Sequence, residues 1–62
     1  VTRPTVPAGF KAYVAMDGVK WSVRLTPGNK RISPSFVHQV NAYAYLDWIE
    51  GGPEFRYPEG EA

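Results

Sequence analysis

The stretch Phe10-Lys11-Ala12-Tyr13-Val14-Ala15-Met16-Asp17-Gly18-Val19-Lys20-Trp21-Ser22-Val23-Arg24-Leu25 decides the fold. Residues 10–16 alternate, with Phe10, Ala12, Val14 and Met16 on one side and Lys11, Tyr13 and Ala15 on the other. Residues 19–25 repeat the pattern, Val19, Trp21, Val23 and Leu25 against Lys20, Ser22 and Arg24. A period of two belongs to a strand buried on one face. Asp17-Gly18 between the runs is a hairpin signal, because both central residues of a type I′ turn need positive φ. That turn predicts Met16 opposite Val19, Val14 opposite Trp21, Ala12 opposite Val23 and Phe10 opposite Leu25. Apolar then meets apolar throughout, and a one-residue slip would turn every side chain to the wrong face.

Downstream, Thr26-Pro27-Gly28-Asn29 forms a second turn with Pro and Gly at its centre. A four-residue loop there predicts Leu25 opposite Lys30, Val23 opposite Ile32, Trp21 opposite Pro34 and Val19 opposite Phe36. Pro34 donates no ladder hydrogen bond, so this third strand must lie at an edge. A competing reading takes Ser33 as a helix N-cap and Pro34 as the first helical residue. We prefer the strand, with a helix opening near His38. Residues 38–50 hold no Gly or Pro and end at Gly51-Gly52-Pro53, a helix stop. Ala42, Tyr45, Leu46 and Ile49 make one apolar stripe at helical spacing, and Val37, Val40, Ala44 and Trp48 make a second on the other side.

These elements predict an α+β domain, a three-stranded antiparallel sheet packed on one C-terminal helix (βββα). Residues 1–9, with Pro4, Pro7 and Gly9, read as an extended arm. The domain proper is 10–51. Residues 52–62 form an acidic tail with Pro53 and Pro58, expected to dock loosely at most.

Composition narrows the function. A chain of 62 residues is one domain and buries only about 60 % of its unfolded surface. Without Cys, neither a disulfide nor a thiolate metal site supports it, which suits a reducing, cytoplasmic setting. Two Trp, four Tyr and three Phe supply the packing instead. No run approaches the roughly 20 apolar residues of a membrane span. His38 is the sole histidine, so a His/Cys metal cluster is excluded, and a lone His at a helix start reads as a cap or surface residue. Asp47, Glu50 and Glu54 are spread around a helix end and tail rather than paired, and Gly51-Gly52-Pro53 lacks the Lys and Ser/Thr of a phosphate loop. The expectation is a non-enzyme with no cofactor, no metal and no small-molecule substrate.

Charge is sorted along the chain. Up to Val37 there are six basic residues and Asp17 alone as acid, a net of +5; from His38 onward five acids face Arg56 alone, a net of −4. The expected register puts Lys11 opposite Arg24, Tyr13 opposite Ser22 and Ala15 opposite Lys20, then Arg24 opposite Arg31, Ser22 opposite Ser33 and Lys20 opposite Ser35. Like charges facing one another destabilise a sheet unless an anion lies across them. A solvated face whose lysines discourage edge pairing is the plain reading. A face for an anion is the other, and nucleic acid suits it, since Arg and Lys reach phosphates and base edges while Ser and Tyr add hydrogen bonds.

Trp21-Ser22-Val23-Arg24-Leu25, Gly28-Asn29-Lys30-Arg31-Ile32-Ser33, Phe36, Ala42, Tyr45 and Leu46 carry a resemblance. Their order is similar to the AP2-like, arm-type DNA-binding domain at the N-terminus of phage integrases (tyrosine recombinases). The likeness covers roughly residues 10–51. It implies a sheet that enters the major groove of double-stranded DNA with the helix behind it, as in a recombination or regulatory factor of a phage or mobile element. The implied contacts are Lys11, Tyr13, Lys20, Ser22, Arg24, Arg31 and Ser33, and Lys30 joins them as a phosphate contact. Two features depart from the family: the helix is poor in basic residues, and His38 stands where a Thr or Ser cap is usual. The alternative is a protein-interaction module that binds a partner, or a second copy, through Val37, Val40, Ala44 and Trp48. Trp48 is ordinary core instead if Phe55 or Tyr57 of the tail covers it.

Overall fold

A computed structural model of the chain describes residues 3–59. Strands β1 (Lys11–Asp17), β2 (Lys20–Thr26) and β3 (Lys30–Arg31) precede one helix, α1 (Gln39–Ile49). The sheet is antiparallel in the order β1-β2-β3, so the expected βββα architecture is what the chain adopts.

The first hairpin keeps the expected faces but moves by two residues. Met16 stands opposite Trp21, Val14 opposite Val23, Ala12 opposite Leu25 and Asp17 opposite Lys20. The turn is therefore Gly18-Val19, with φ 69° at Gly18 and no left-handed residue at Asp17 or Val19. This is the II′ pattern, which asks for positive φ only at its first central position and finds glycine there. The I′ turn expected at Asp17-Gly18 would have placed Asp17 as well as Gly18 at positive φ, whereas the II′ turn asks it of the glycine alone. A shift of two preserves which side chains share a face, so the hydrophobic alternation is satisfied equally by both registers. Phe10 loses its expected partner Leu25 and stands outside β1, exposed.

Beyond β2 the expected pairings Leu25–Lys30 and Arg24–Arg31 hold, and the Thr26–Pro27 peptide is cis. The third strand is shorter than expected. Ile32 N–H still donates to Val23 O at 3.0 Å, but Trp21 pairs with Phe36 instead of Pro34. Ser33, Pro34 and Ser35 thus stand against Ser22 alone, a bulge. Pro34 has no N–H to offer, and the Ser33 hydroxyl takes over as acceptor for the buried Val23 N–H at 2.8 Å. Phe36 rejoins the ladder through two bonds to Trp21, of 2.7 and 2.8 Å. The helix opens at His38 as N-cap, not at Ser33, and no side chain caps it.

An eleven-residue helix is marginal by itself, so packing must hold α1. Ala42, Tyr45 and Ile49 of the first stripe are buried and Leu46 is half-buried, against Val23 and Phe36. The helix ends in a Schellman motif: Gly51 N–H donates to Trp48 O at 3.1 Å and Gly52 N–H to Asp47 O at 2.8 Å, with Gly51 at φ 101°.

The tail docks on the core through Phe55 and Tyr57, contrary to the sequence-based expectation, while its residues 60–62 lie outside the described residues. Phe55 lies edge-on to Phe36 and Tyr45, ring centroids 5.5 and 5.2 Å away, and stacks on Trp48 at 6.4 Å. Tyr57 reaches Phe36 at 5.9 Å. Helix and strands alone leave Trp48 and the far side of Phe36 uncovered, and burying that aromatic surface outweighs the cost of ordering the segment. Val6 of the N-terminal arm packs against the core, and Arg3 donates to Gly52 O at 3.4 Å.

Candidate nucleic-acid interface

The sheet face away from α1 carries Lys11, Tyr13, Ala15 and Asp17 from β1, Lys20, Ser22 and Arg24 from β2, and Arg31 from β3. Alternation and register place them there. No helix covers this side. The row across its middle is Tyr13–Arg24–Arg31, where the expected register had Lys11–Arg24–Arg31.

Two arginines opposite one another would repel, and the two-residue shift supplies the remedy by leaving Asp17 at the end of β1 on this face. Arg24 Nη2 donates to Asp17 Oδ2 at 2.9 Å, and Arg31 Nη1 lies 4.0 Å from the same oxygen. Arg24 Nη1 also donates to Asn29 O at 2.9 Å, and Arg31 Nη1 to Ser35 Oγ at 3.0 Å. The Tyr13 hydroxyl donates to the Asn29 side-chain oxygen. Asn29, at φ 53°, thereby ties the second turn to the middle of the face.

Beneath this layer lies Ser22, fully buried, its Oγ without a hydrogen-bond partner among the described residues. Ser33 is buried too, its hydroxyl donating to Pro34 O at 2.9 Å while accepting from Val23. Neither serine is presented to a ligand, which corrects their expected role as contacts. Alternation fixes the side of the sheet a residue takes, not the depth to which it is buried. Lys11, Lys20 and Arg31 are exposed, and Arg24 and Tyr13 are half-buried. Lys30 is exposed but, opposite Leu25, has the parity of the helix side, at the sheet margin. Asp17, Asn29 and Ser35 are the members of the arrangement that sequence reasoning missed. The missed signal was the glycine requirement of a Gly18-first turn, which brings Asp17 onto the face.

The second stripe is divided. Trp48 is 4 % exposed beneath Phe55, whereas Val40 is 71 % exposed, with Val37 and Ala44 also on the surface. Trp48 is therefore core and leaves the expected partner surface. No helix is long and apolar enough to cross a membrane, and no group of three or more potential metal ligands occurs among the described residues. Comparison with protein-family models, curated proteins and solved structures finds no match for the chain.

Proposed function

We propose that the open face of the sheet binds a polyanion, with double-stranded DNA as its target. One observation carries this reading: Lys11, Lys20, Arg24 and Arg31 share a sheet face that α1 does not cover, where Asp17 is the sole acid among the described residues. Asp47 of α1, and Glu54 beside the docked Phe55, belong to the helix side. Lys11, Lys20 and Arg31 supply phosphate contacts. Arg24, held by Asn29 and Asp17, is pre-oriented for a base edge or phosphate once a ligand displaces the carboxylate. A recombination or regulatory factor of a phage or mobile element is the setting that the integrase-arm resemblance implies.

The test is a titration of duplex DNA at several salt concentrations with the wild type and the Arg24→Ala, Arg31→Ala double variant. The variant is expected to bind more weakly, with a salt slope lower by about two, one per lost contact. Unchanged affinity and slope would sink the reading. A protein partner on the outer side of α1 is the second reading, favoured by the exposure of Val40. Val40→Asp would abolish capture of such a partner and leave DNA binding intact.

A further inference from the structure

The two edges of the sheet are treated differently. On one side β3 stops after two residues, and Pro34 and the bulge interrupt any continuation. On the other, β1 runs for seven residues without proline or bulge, and among the described residues its backbone bonds only to β2. An uninterrupted edge of this kind is a template for another strand.

We propose that β1 pairs antiparallel with β1 of a second copy, joining two sheets into one of six strands. The strand is complementary to itself about Val14. That register sets Lys11 opposite the partner's Asp17, Ala12 opposite the partner's Met16, Tyr13 opposite the partner's Ala15, and Val14 opposite the partner's Val14. Opposite charges meet on the polar face and apolar side chains on the helix face. Moving the register by two in either direction loses the Lys11–Asp17 match. Each contact occurs twice except Val14 against Val14, which lies on the twofold axis, as an isologous interface requires.

A second feature points to the same occupant. Met16 is 59 % exposed on the helix side of the sheet. Beside Ala12, on that side, an open cleft of about 700 Å3 is lined by Val6, Phe10 and Ile49 among others. Pairing brings the partner's Met16 to the mouth of this cleft, and a flexible thioether suits an irregular hollow whose wall mixes apolar side chains with Arg3, Lys11 and Glu50. The helices do not obstruct it. Each lies over its own β2, and the two β2 strands would be three strand spacings, about 14 Å, apart, more than the 8–10 Å at which helices pack. The assembly places two basic faces side by side on one surface, whatever ligand they take.

The test is sedimentation of the wild type over a concentration series reaching about 1 mM, with Met16→Asp and Val40→Asp run alongside. A dimer that Met16→Asp weakens at least tenfold and Val40→Asp leaves intact is expected, with circular dichroism showing both variants folded. Register is read with Ala12→Cys/Met16→Cys. These positions are about 13 Å apart within one strand, too far for an internal disulfide, but opposite one another between copies. Mild oxidation is expected to give a covalent dimer in this double variant and not in either single one. A wild type that stays monomeric throughout overturns the proposal. So does a dimer that Val40→Asp dissolves and Met16→Asp spares, or a dimer in which the paired cysteines fail to cross-link.

Discussion

The Asp17 carboxylate accepts a hydrogen bond from the Arg24 guanidinium at 2.9 Å, at the end of a strand whose other odd-numbered side chains include Lys11 and Tyr13. Arg24 faces Arg31, so this one acid relieves a repulsion that the pairing of β2 with β3 creates. It also occupies ground that a phosphate would take.

Replacing it separates the two effects. Asp17→Asn is expected to cost under about 1 kcal/mol, since the pair is partly solvated and such pairs contribute little. The same variant is expected to bind duplex DNA more tightly, with a steeper salt dependence, because two arginines lose their internal counter-charge. Urea unfolding and a salt-series titration read the two outcomes. Weaker DNA binding by a folded Asp17→Asn would count against the proposed interface.

The two buried serines are predicted to behave oppositely. Ser33→Ala removes the acceptor of the buried Val23 N–H and should cost about 1–3 kcal/mol. Ser22→Ala removes a buried hydroxyl that has no partner among the described residues and should be neutral or stabilising. Equilibrium unfolding of both variants in urea makes the comparison directly.

Phe55→Ala should destabilise the domain by about 3 kcal/mol, near the lower end for an aromatic truncation because Phe55 is only partly buried. Trp48 loses its stacking neighbour at the same time, so its fluorescence should shift to the red as water reaches the indole. Tyr57→Ala, at a residue 51 % exposed, should cost far less. Equal losses for the two variants would mean that Phe55 does not hold the tail.

Gly52 is constrained by contact rather than by its backbone angle. A Cβ added there would lie 2.8 Å from the Asp47 carbonyl oxygen and closer still to its carboxylate. Gly52→Ala is expected to cost about 1–3 kcal/mol, the usual range for overpacking. Adding Asp47→Ala should restore only part of the loss, since the carbonyl remains. Thermal unfolding of the single and double variants tests this.

Burial raises the Tyr45 phenol above its ordinary value of 10.0. The folded state therefore favours the neutral ring, and the unfolded chain releases its proton first. The resulting stability is fully present below about pH 10 and is lost as pH climbs through the raised folded value. Denaturant midpoints measured from pH 8 to 11 should fall more steeply for the wild type than for Tyr45→Phe. Parallel curves would remove Tyr45 as the source.

Face assignment was legible in the sequence because a period of two survives any even shift in register. That is why Val23, Leu25 and Phe36 lie on the helix side as expected, and why Arg24 faces Arg31. The register itself was not legible from alternation. It turns on which of Asp17 and Gly18 must take positive φ, and the choice between I′ and II′ turns moved Asp17 onto the basic face. The bulge after Ile32 was half legible. Pro34 announced a broken ladder, but only a folded backbone shows the Ser33 hydroxyl reaching the Val23 N–H. Docking of the tail was half legible too: cover of Trp48 by Phe55 or Tyr57 was one of two readings, but these residues follow a helix stop and carry no periodicity to choose between them.

Phe36 closes a ring of contacts with Tyr45 on the helix and with Phe55 and Tyr57 beyond it. A ribosome makes the hairpin first and these last partners only later. Until Phe55 has emerged, Trp48 and one side of Phe36 remain uncovered on the nascent chain.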